Sequence, residues 1–96
     1  MLDLYADWCR SCIEMERKTF SDSRVREAMA DMTLVRVDMT NYTEAHAALL
    51  QRFGLYGPPA VIILEPLTGR ERLRIIGFEP PEVFEPRLNS AIQSHQ

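Results

Sequence analysis

The chain has two cysteines, Cys9 and Cys12, and they stand two residues apart in Trp8-Cys9-Arg10-Ser11-Cys12. Two thiols at this spacing can close a small disulfide and open it again. The chemistry that suits them is thiol–disulfide exchange, in which a thiolate attacks a disulfide sulfur and a second thiol resolves the mixed disulfide. An apolar stretch, Met1-Leu2-Asp3-Leu4-Tyr5, leads into the pair, and a helix-compatible stretch follows it. Cys9 is therefore predicted at a helix N-terminus, where unpaired amides and the positive end of the dipole favour an anion. Cys12 lies one turn along, within reach of a partner held on Cys9. Three other uses of the pair compete with this one. A purely structural bridge across so short a loop contributes only about 2 kcal/mol by loop entropy. A zinc site needs four ligands, but His46 lies 34 residues beyond Cys12 and His95 is near the far end. An inert interaction domain would leave the pair without a task.

Several residues are placed to support the dithiol. Asp3 interrupts an apolar strand, and a buried acid is costly without a partner or a task. Strand alternation sets Asp3 and Tyr5 on the face opposite Leu2 and Leu4, so Asp3 is expected beneath the pair, suited to take a proton from Cys12. The alternative is an exposed terminal acid. Glu16 follows Cys12 by four residues and shares its helical face, either tuning the cysteines or sitting in solvent. Two acids near one thiol oppose thiolate formation, and Arg10, Arg17 and Lys18 are the nearby cations in sequence. Trp8 either shields the dithiol and offers an apolar contact surface, or belongs to the core. Gly57-Pro58-Pro59 sits between a helix and a strand. A cis bond at Pro59 suits a tight turn there and would offer a backbone edge to an extended partner; a trans turn is the alternative. Trp8, Tyr56, Pro58 and Pro59 together form the expected partner surface.

These residues need a frame. Residues 1–5 read as a buried strand and 10–19 as a helix. Ser21 or Asp22 is a candidate cap for a second helix carrying Val25, Ala28 and Met29 on one stripe. Residues 33–38 are β-branched and read as a second strand. Asn41 with Glu44 resembles a capping box, and Ala45, Ala48, Leu49 and Phe53 form the apolar face of a third helix that Gly54 terminates. Ala60–Leu64 is a third strand, 65–70 a hairpin connection and Glu71–Ile76 a fourth strand. Pro80 and Pro81 suit a helix start, with Val83, Phe84, Leu88, Ala91 and Ile92 facing inward. Pro86 interrupts that stripe, so this helix is expected to start late or to kink. The order β-α-β-α-β-β-α predicts an α/β domain with one mixed four-stranded sheet flanked by helices. Strands one and two are parallel, and strands three and four antiparallel.

A length of 96 residues corresponds to a single domain, 1–96. The net charge of −3 argues against nucleic-acid binding, which needs a basic face. The longest apolar run is the five residues Ala60–Leu64, against about 20 for a membrane-spanning helix. No basic stretch precedes an apolar one at the start, so no secretory signal is read here. A buried strand with no lead-in predicts a piece of a longer protein.

Trp-Cys-x-x-Cys after a buried strand, with Gly-Pro-Pro before the third strand, resembles the thioredoxin superfamily along nearly the whole chain. The resemblance implies a minimal thioredoxin-like fold lacking the N-terminal strand and helix of full thioredoxins. It assigns Cys9 as nucleophile, Cys12 as resolving cysteine, Pro59 as the cis-proline beside them and Asp3 as the buried acid. Leu2-Asp3-Leu4-Tyr5-Ala6-Asp7-Trp8-Cys9, then Glu14-Met15-Glu16-Arg17-Lys18-Thr19-Phe20-Ser21-Asp22 and Ile75-Ile76-Gly77-Phe78, are similar to the C-terminal periplasmic domain of the DsbD thiol:disulfide interchange proteins. In that family the domain takes electrons from a membrane-embedded domain and passes them to an N-terminal periplasmic domain. Disulfide isomerases and cytochrome c maturation are the final beneficiaries. Acids matching Asp3 and Glu16 tune the active-site cysteine there. The resemblance thus implies a protein-disulfide reductase in the periplasm, part of an inner-membrane protein, with no metal or organic cofactor beyond the Cys9–Cys12 couple. A free-standing thioredoxin-like reductase is the nearest alternative, and a non-redox zinc or binding module the more distant one. Arg10-Ser11 between the cysteines, Pro58 before Pro59 and Ala60 after it depart from the family pattern and put the reduction potential and partner contacts in question.

Overall fold

The computed structural model describes residues 1–93; His95 lies outside them. Four strands form one sheet in the order β2-β1-β3-β4: β1 (Leu2–Tyr5), β2 (Val35–Asp38), β3 (Ala60–Leu64) and β4 (Glu71–Ile76). β1 runs parallel to β2 and antiparallel to β3, and β3 pairs antiparallel with β4. The order explains the sequences. β3 is central and wholly apolar because both its faces are covered. β2 lies at an edge, and its Val35 is half exposed.

The two faces carry separate apolar clusters. On one side Leu4, Ala60 and Ile62 pack with Met39, with Leu50 of α3 (Glu44–Phe53) and with both cysteines. On the other, Val61, Ile63 and Ile75 pack with Val25 and Met29 of α2 (Ser23–Met29) and with Phe84 and Leu88 of α4 (Pro81–Gln93). Phe20 meets Phe84 edge to face, with ring centroids 5.7 Å apart.

The helical run after the cysteines is not uniform. α1 covers Arg10–Glu14, and Met15–Thr19 continues as a π turn, closed by the Phe20 amide donating to the Met15 carbonyl at 2.8 Å. Thr19 is fully buried in this turn, and its hydroxyl donates to the Glu79 carbonyl at 2.5 Å. That bond ties the π turn to the loop before α4.

Two expectations are corrected. α3 is capped by Thr43, whose hydroxyl accepts from the His46 amide while His46 Nδ1 accepts from the Thr43 amide. Asn41 and Glu44 do not form the box, because the cap position falls two residues beyond Asn41. Its inward face is accordingly Leu49, Leu50 and Phe53, with Ala45 and Ala48 exposed. α4 starts at Pro81, where the Pro80-Pro81 signal put it, so the late-start alternative is not realised, and it continues through Pro86. Pro86 lacks the amide that would bond one turn back, and burying Phe84, Leu88 and Ala91 on either side of it offsets that loss. Asp22 is the cap of α2, its carboxylate accepting from the Arg24 and Val25 amides. Gly54 ends α3 at φ 66°, a left-handed conformation that costs glycine little.

Candidate functional site

The chain leaves β1 at Tyr5 and turns through Ala6-Asp7-Trp8, where the Cys9 amide donates to the Ala6 carbonyl at 3.0 Å. Cys9 is extended (φ −94°, ψ 106°) and occupies the N-cap of α1. Its sulfur takes the place of the usual cap oxygen, accepting from the Cys12 amide at 3.3 Å. A helix-terminal amide directed at the sulfur stabilises negative charge on it. Cys12 is more deeply buried, at 3% exposure against 8% for Cys9, and its thiol faces the Leu4 carbonyl at 3.8 Å. Burial is the main cause that pushes the Cys12 thiol up to about 12; its hydrogen bond to Cys9 and the nearby Cys9 and Asp3 charges add to this, and a backbone hydrogen bond from Ala6 opposes it. Cys9 and Cys12 are not joined by a disulfide in this structure. One sulfur is therefore solvated by an amide, and the other is held protonated.

A second network fixes the turn that carries Trp8. The Asp38 carboxylate accepts from the Thr40 amide at 2.9 Å and its hydroxyl at 2.5 Å. The Thr40 hydroxyl in turn accepts from the Asp7 amide at 2.8 Å. The Thr40 carbonyl accepts from the Trp8 indole at 3.3 Å. Trp8 is thereby anchored at its polar end while 62% of it stays exposed, so it is a surface residue and not part of the core. Tyr56 is wholly exposed. Pro58-Pro59 is a cis peptide, which the resemblance implied and the turn alone left open. The loop that holds it lies between Leu55 and Ala60, both in the cluster that contains the cysteines.

The acids lie on the other side of β1. Asp3 is mostly buried, and burial raises its carboxyl above the ordinary range, with the charge and hydrogen bond of Arg36 opposing the shift. Its charge reaches the Cys12 thiol, so the alternative of a solvated terminal acid is not realised. Glu16 projects from the π turn, and its carboxylate pairs with Arg36. Arg36 also pairs with Asp3 at 3.6 Å and stacks on the Tyr5 ring at 4.2 Å from its centre. Sequence reasoning missed Arg36. Arg10, Arg17 and Lys18 were the nearby cations in sequence, but all three are exposed, and Lys18 pairs with Glu14 at 3.8 Å. The signal for Arg36 was a lone cation in the β-branched run Val35-Arg36-Val37, which becomes informative only once the register sets it beside Asp3.

No group of three or more His, Cys, Asp or Glu side chains suited to a metal occurs among the described residues. His46, the ligand the zinc reading needed, is used as a helix cap.

The family model for a thioredoxin-like domain matches residues 1–92. The chain belongs to this family. The thioredoxin-like domain is also 34% identical to the C-terminal domain of Neisseria meningitidis DsbD in its oxidised form, with a TM-score of 0.85 over 94% of this chain and 77% of that one. The reduced form of the same domain gives a TM-score of 0.84 at 33% identity over the same shares of the two chains. Among curated relatives, the thiol:disulfide interchange protein DsbD of Ralstonia nicotianae is 48% identical over all of this chain, which spans 16% of that protein. The fold also matches a Thermus thermophilus thioredoxin at 22% identity, with a TM-score of 0.81 over 95% of this chain and 71% of that one.

Proposed function

We propose that this domain is a protein-disulfide reductase that relays two electrons through Cys9 and Cys12, from a membrane-embedded donor to folded protein partners in the periplasm. The observation that carries the reading is the asymmetry of the pair, with an amide aimed at the Cys9 sulfur and a buried, protonated Cys12. The Cys9 thiolate attacks a partner disulfide. One partner sulfur leaves as a thiolate, and a mixed disulfide joins Cys9 to the other. Cys12 then gives its proton to Asp3 and attacks the Cys9 sulfur. The Cys9–Cys12 bond forms, the bond to the partner breaks, and the partner is released as a dithiol while this chain is oxidised. The donor restores the dithiol by the reverse exchange. The site needs no metal or organic cofactor, because the two sulfurs carry both electrons.

The likeness to DsbD supports the direction of flow and the choice of partners, namely the transmembrane and N-terminal domains of one parent protein. Among the described residues no helix is long and apolar enough to cross a membrane, so the donor belongs to another segment or chain. Trp8, Tyr56, Pro58 and Pro59 provide the docking surface; the exposure of Trp8, anchored at its indole nitrogen, and of Tyr56 suits brief contacts with folded partners. Glu16 tunes the pair from the π turn.

A redox titration against a thiol buffer, with zinc assayed in the same sample, tests the reading. The expected result is a single two-electron couple more reducing than the roughly −120 mV of a strong periplasmic oxidant. Cys9→Ser is expected to abolish exchange, and Cys12→Ser to trap mixed disulfides. Bound zinc with no couple would overturn the proposal.

A further inference from the structure

An open groove of about 600 Å³ runs along α1 and the π turn beside Trp8. Its walls carry three cations, Arg10, Arg17 and Lys18, against two carboxylates, Asp7 and Glu14. Lys18 is already engaged, pairing with Glu14 at 3.8 Å and lying over the Phe78 ring at 5.8 Å. Asp7 accepts from the Tyr5 hydroxyl at 2.8 Å. Arg10 and Arg17 are exposed, and among the described residues no carboxylate lies within ion-pair distance of either. The groove is thus cationic on balance, in a chain whose net charge is −3. An exposed arginine without a partner is ordinary; the position of these two is not. Arg10 directly follows Cys9, and the groove they share is bordered by Trp8, which precedes it. The other charges near the pair are spoken for, since Asp3 and Glu16 are engaged by Arg36. Residues 54–60, around the cis-proline, carry no charged side chain.

We propose that Arg10 and Arg17 select among partners, the groove taking the acidic flank of a protein disulfide, a segment with Asp or Glu beside the attacked cysteine. The inference rests on the exchange reaction proposed above and names the kind of partner that reaction favours. Only 8% of Cys9 is exposed. A partner sulfur must come in close to reach it, so the residues flanking that sulfur lie across the surface around Cys9. A chain laid against Trp8 brings one of its flanks to the groove. A guanidinium suits a carboxylate there, because its planar fork can donate two parallel hydrogen bonds. An acidic flank is attracted and a basic one repelled. Such charges act on the choice of partner and the rate of encounter more than on the strength of binding. They act on the flank and leave the exchange at the sulfurs as described above.

The test uses three disulfide-linked peptide dimers, acetyl-Gly-Cys-X-amide with X as Asp, Asn or Lys, and the reduced 96-residue chain at pH 7. The reaction is stopped with acid, and the thiols left on the chain are counted by alkylation and mass spectrometry. The readout is the rate with the Asp peptide divided by the rate with the Lys peptide. A change in the reactivity of Cys9 itself moves all three peptides together and cancels in that ratio. Arg10→Gln combined with Arg17→Gln is expected to lower the ratio about tenfold in dilute buffer, since each exposed charge pair contributes up to about fivefold. In 1 M salt, where the screening length is about 3 Å, the parent ratio should fall to that of the variant. Arg17→Glu alone is expected to lower the ratio as well, and it serves if the double variant fails to fold, which circular dichroism reports. Arg70→Gln removes a like charge from the connection between β3 and β4, at the far end of β3 from Ala60, and is expected to keep the parent ratio. A ratio unchanged in the double variant and in Arg17→Glu, or lowered as far by Arg70→Gln, overturns the proposal. Those outcomes leave the exchange reading intact, because it fails only if the parent chain reduces none of the three peptides.

Discussion

The burial of Cys12 makes a prediction that chemical labelling can read directly. An ordinary thiol titrating at 9.0 is about 1% thiolate at pH 7, whereas Cys12, pushed up to about 12, holds roughly a thousandfold less. Alkylation proceeds through the thiolate, and only 3% of Cys12 is exposed, which slows the reagent further. Reduced chain treated with iodoacetamide at pH 7 is therefore expected to carry one label, on Cys9. The rate at Cys12 should be about three orders of magnitude below its rate in denaturant, as followed by peptide mass spectrometry. The pH dependence has a definite sign. The folded chain keeps the Cys12 proton between pH 9 and about 12, where the unfolded chain has lost it. The contribution of this group is thus complete below pH 9 and fades as the pH climbs toward 12. The urea midpoint of the reduced chain should fall through that window. Labelling of Cys12 at pH 7 within tenfold of its denatured rate would refute the reasoning.

Three other outcomes test the frame by urea unfolding. Phe84→Ala empties a fully buried site between the sheet and Phe20 and should cost about 3–4 kcal/mol; a cost under 1 would mean that the cluster on that face is not tightly packed. Gly54→Ala places an L side chain at φ 66° with nothing within 4 Å to obstruct it, so any loss, about 1–2 kcal/mol, comes from the backbone alone. Asp22→Ala removes the acceptor for two first-turn amides of α2 and should cost about 1 kcal/mol; an unchanged midpoint would show that water caps that helix as well.

The parts of the fold that were legible in the sequence depend on local rules. The apolar run Ala60–Leu64 is a central strand because only a strand covered on both faces can be apolar throughout. Asp22 and Gly54 end their helices through chemistry contained in a few residues. The spacing of Cys9 and Cys12, with a strand before and a helix after, was enough to place one sulfur at the N-cap. The missed features depend on distant parts of the chain. The link from Arg36 to Asp3 exists because of a register across 33 positions of sequence. The choice of Thr43 over Asn41 turned on where the backbone first becomes helical, since both residue types cap well. The π turn has no compositional mark, and Met15 to Thr19 reads as ordinary helix until the burial of Thr19 against Glu79 is known. Pro80 and Pro81 marked the start of α4, and Pro86 is tolerated within it because Phe84 and Leu88 hold α4 to the sheet on both sides.

The first helical run borders both layers of the fold and ends in the π turn. Upstream of it, Cys12 points into the cluster of Leu4 and Ala6; from it, Met15 points into the cluster on the opposite side of the sheet. A single run thereby serves both layers. Removing Arg17 or Lys18 would take the extra residue out of the wide turn and return the run to ordinary helical bonding. The wide turn that now sets the Thr19 hydroxyl against the Glu79 carbonyl would be lost. Length, more than composition, is therefore what this segment must keep, and related chains one residue shorter here should lack the tie to the loop before α4 even when every cysteine and acid is still in place.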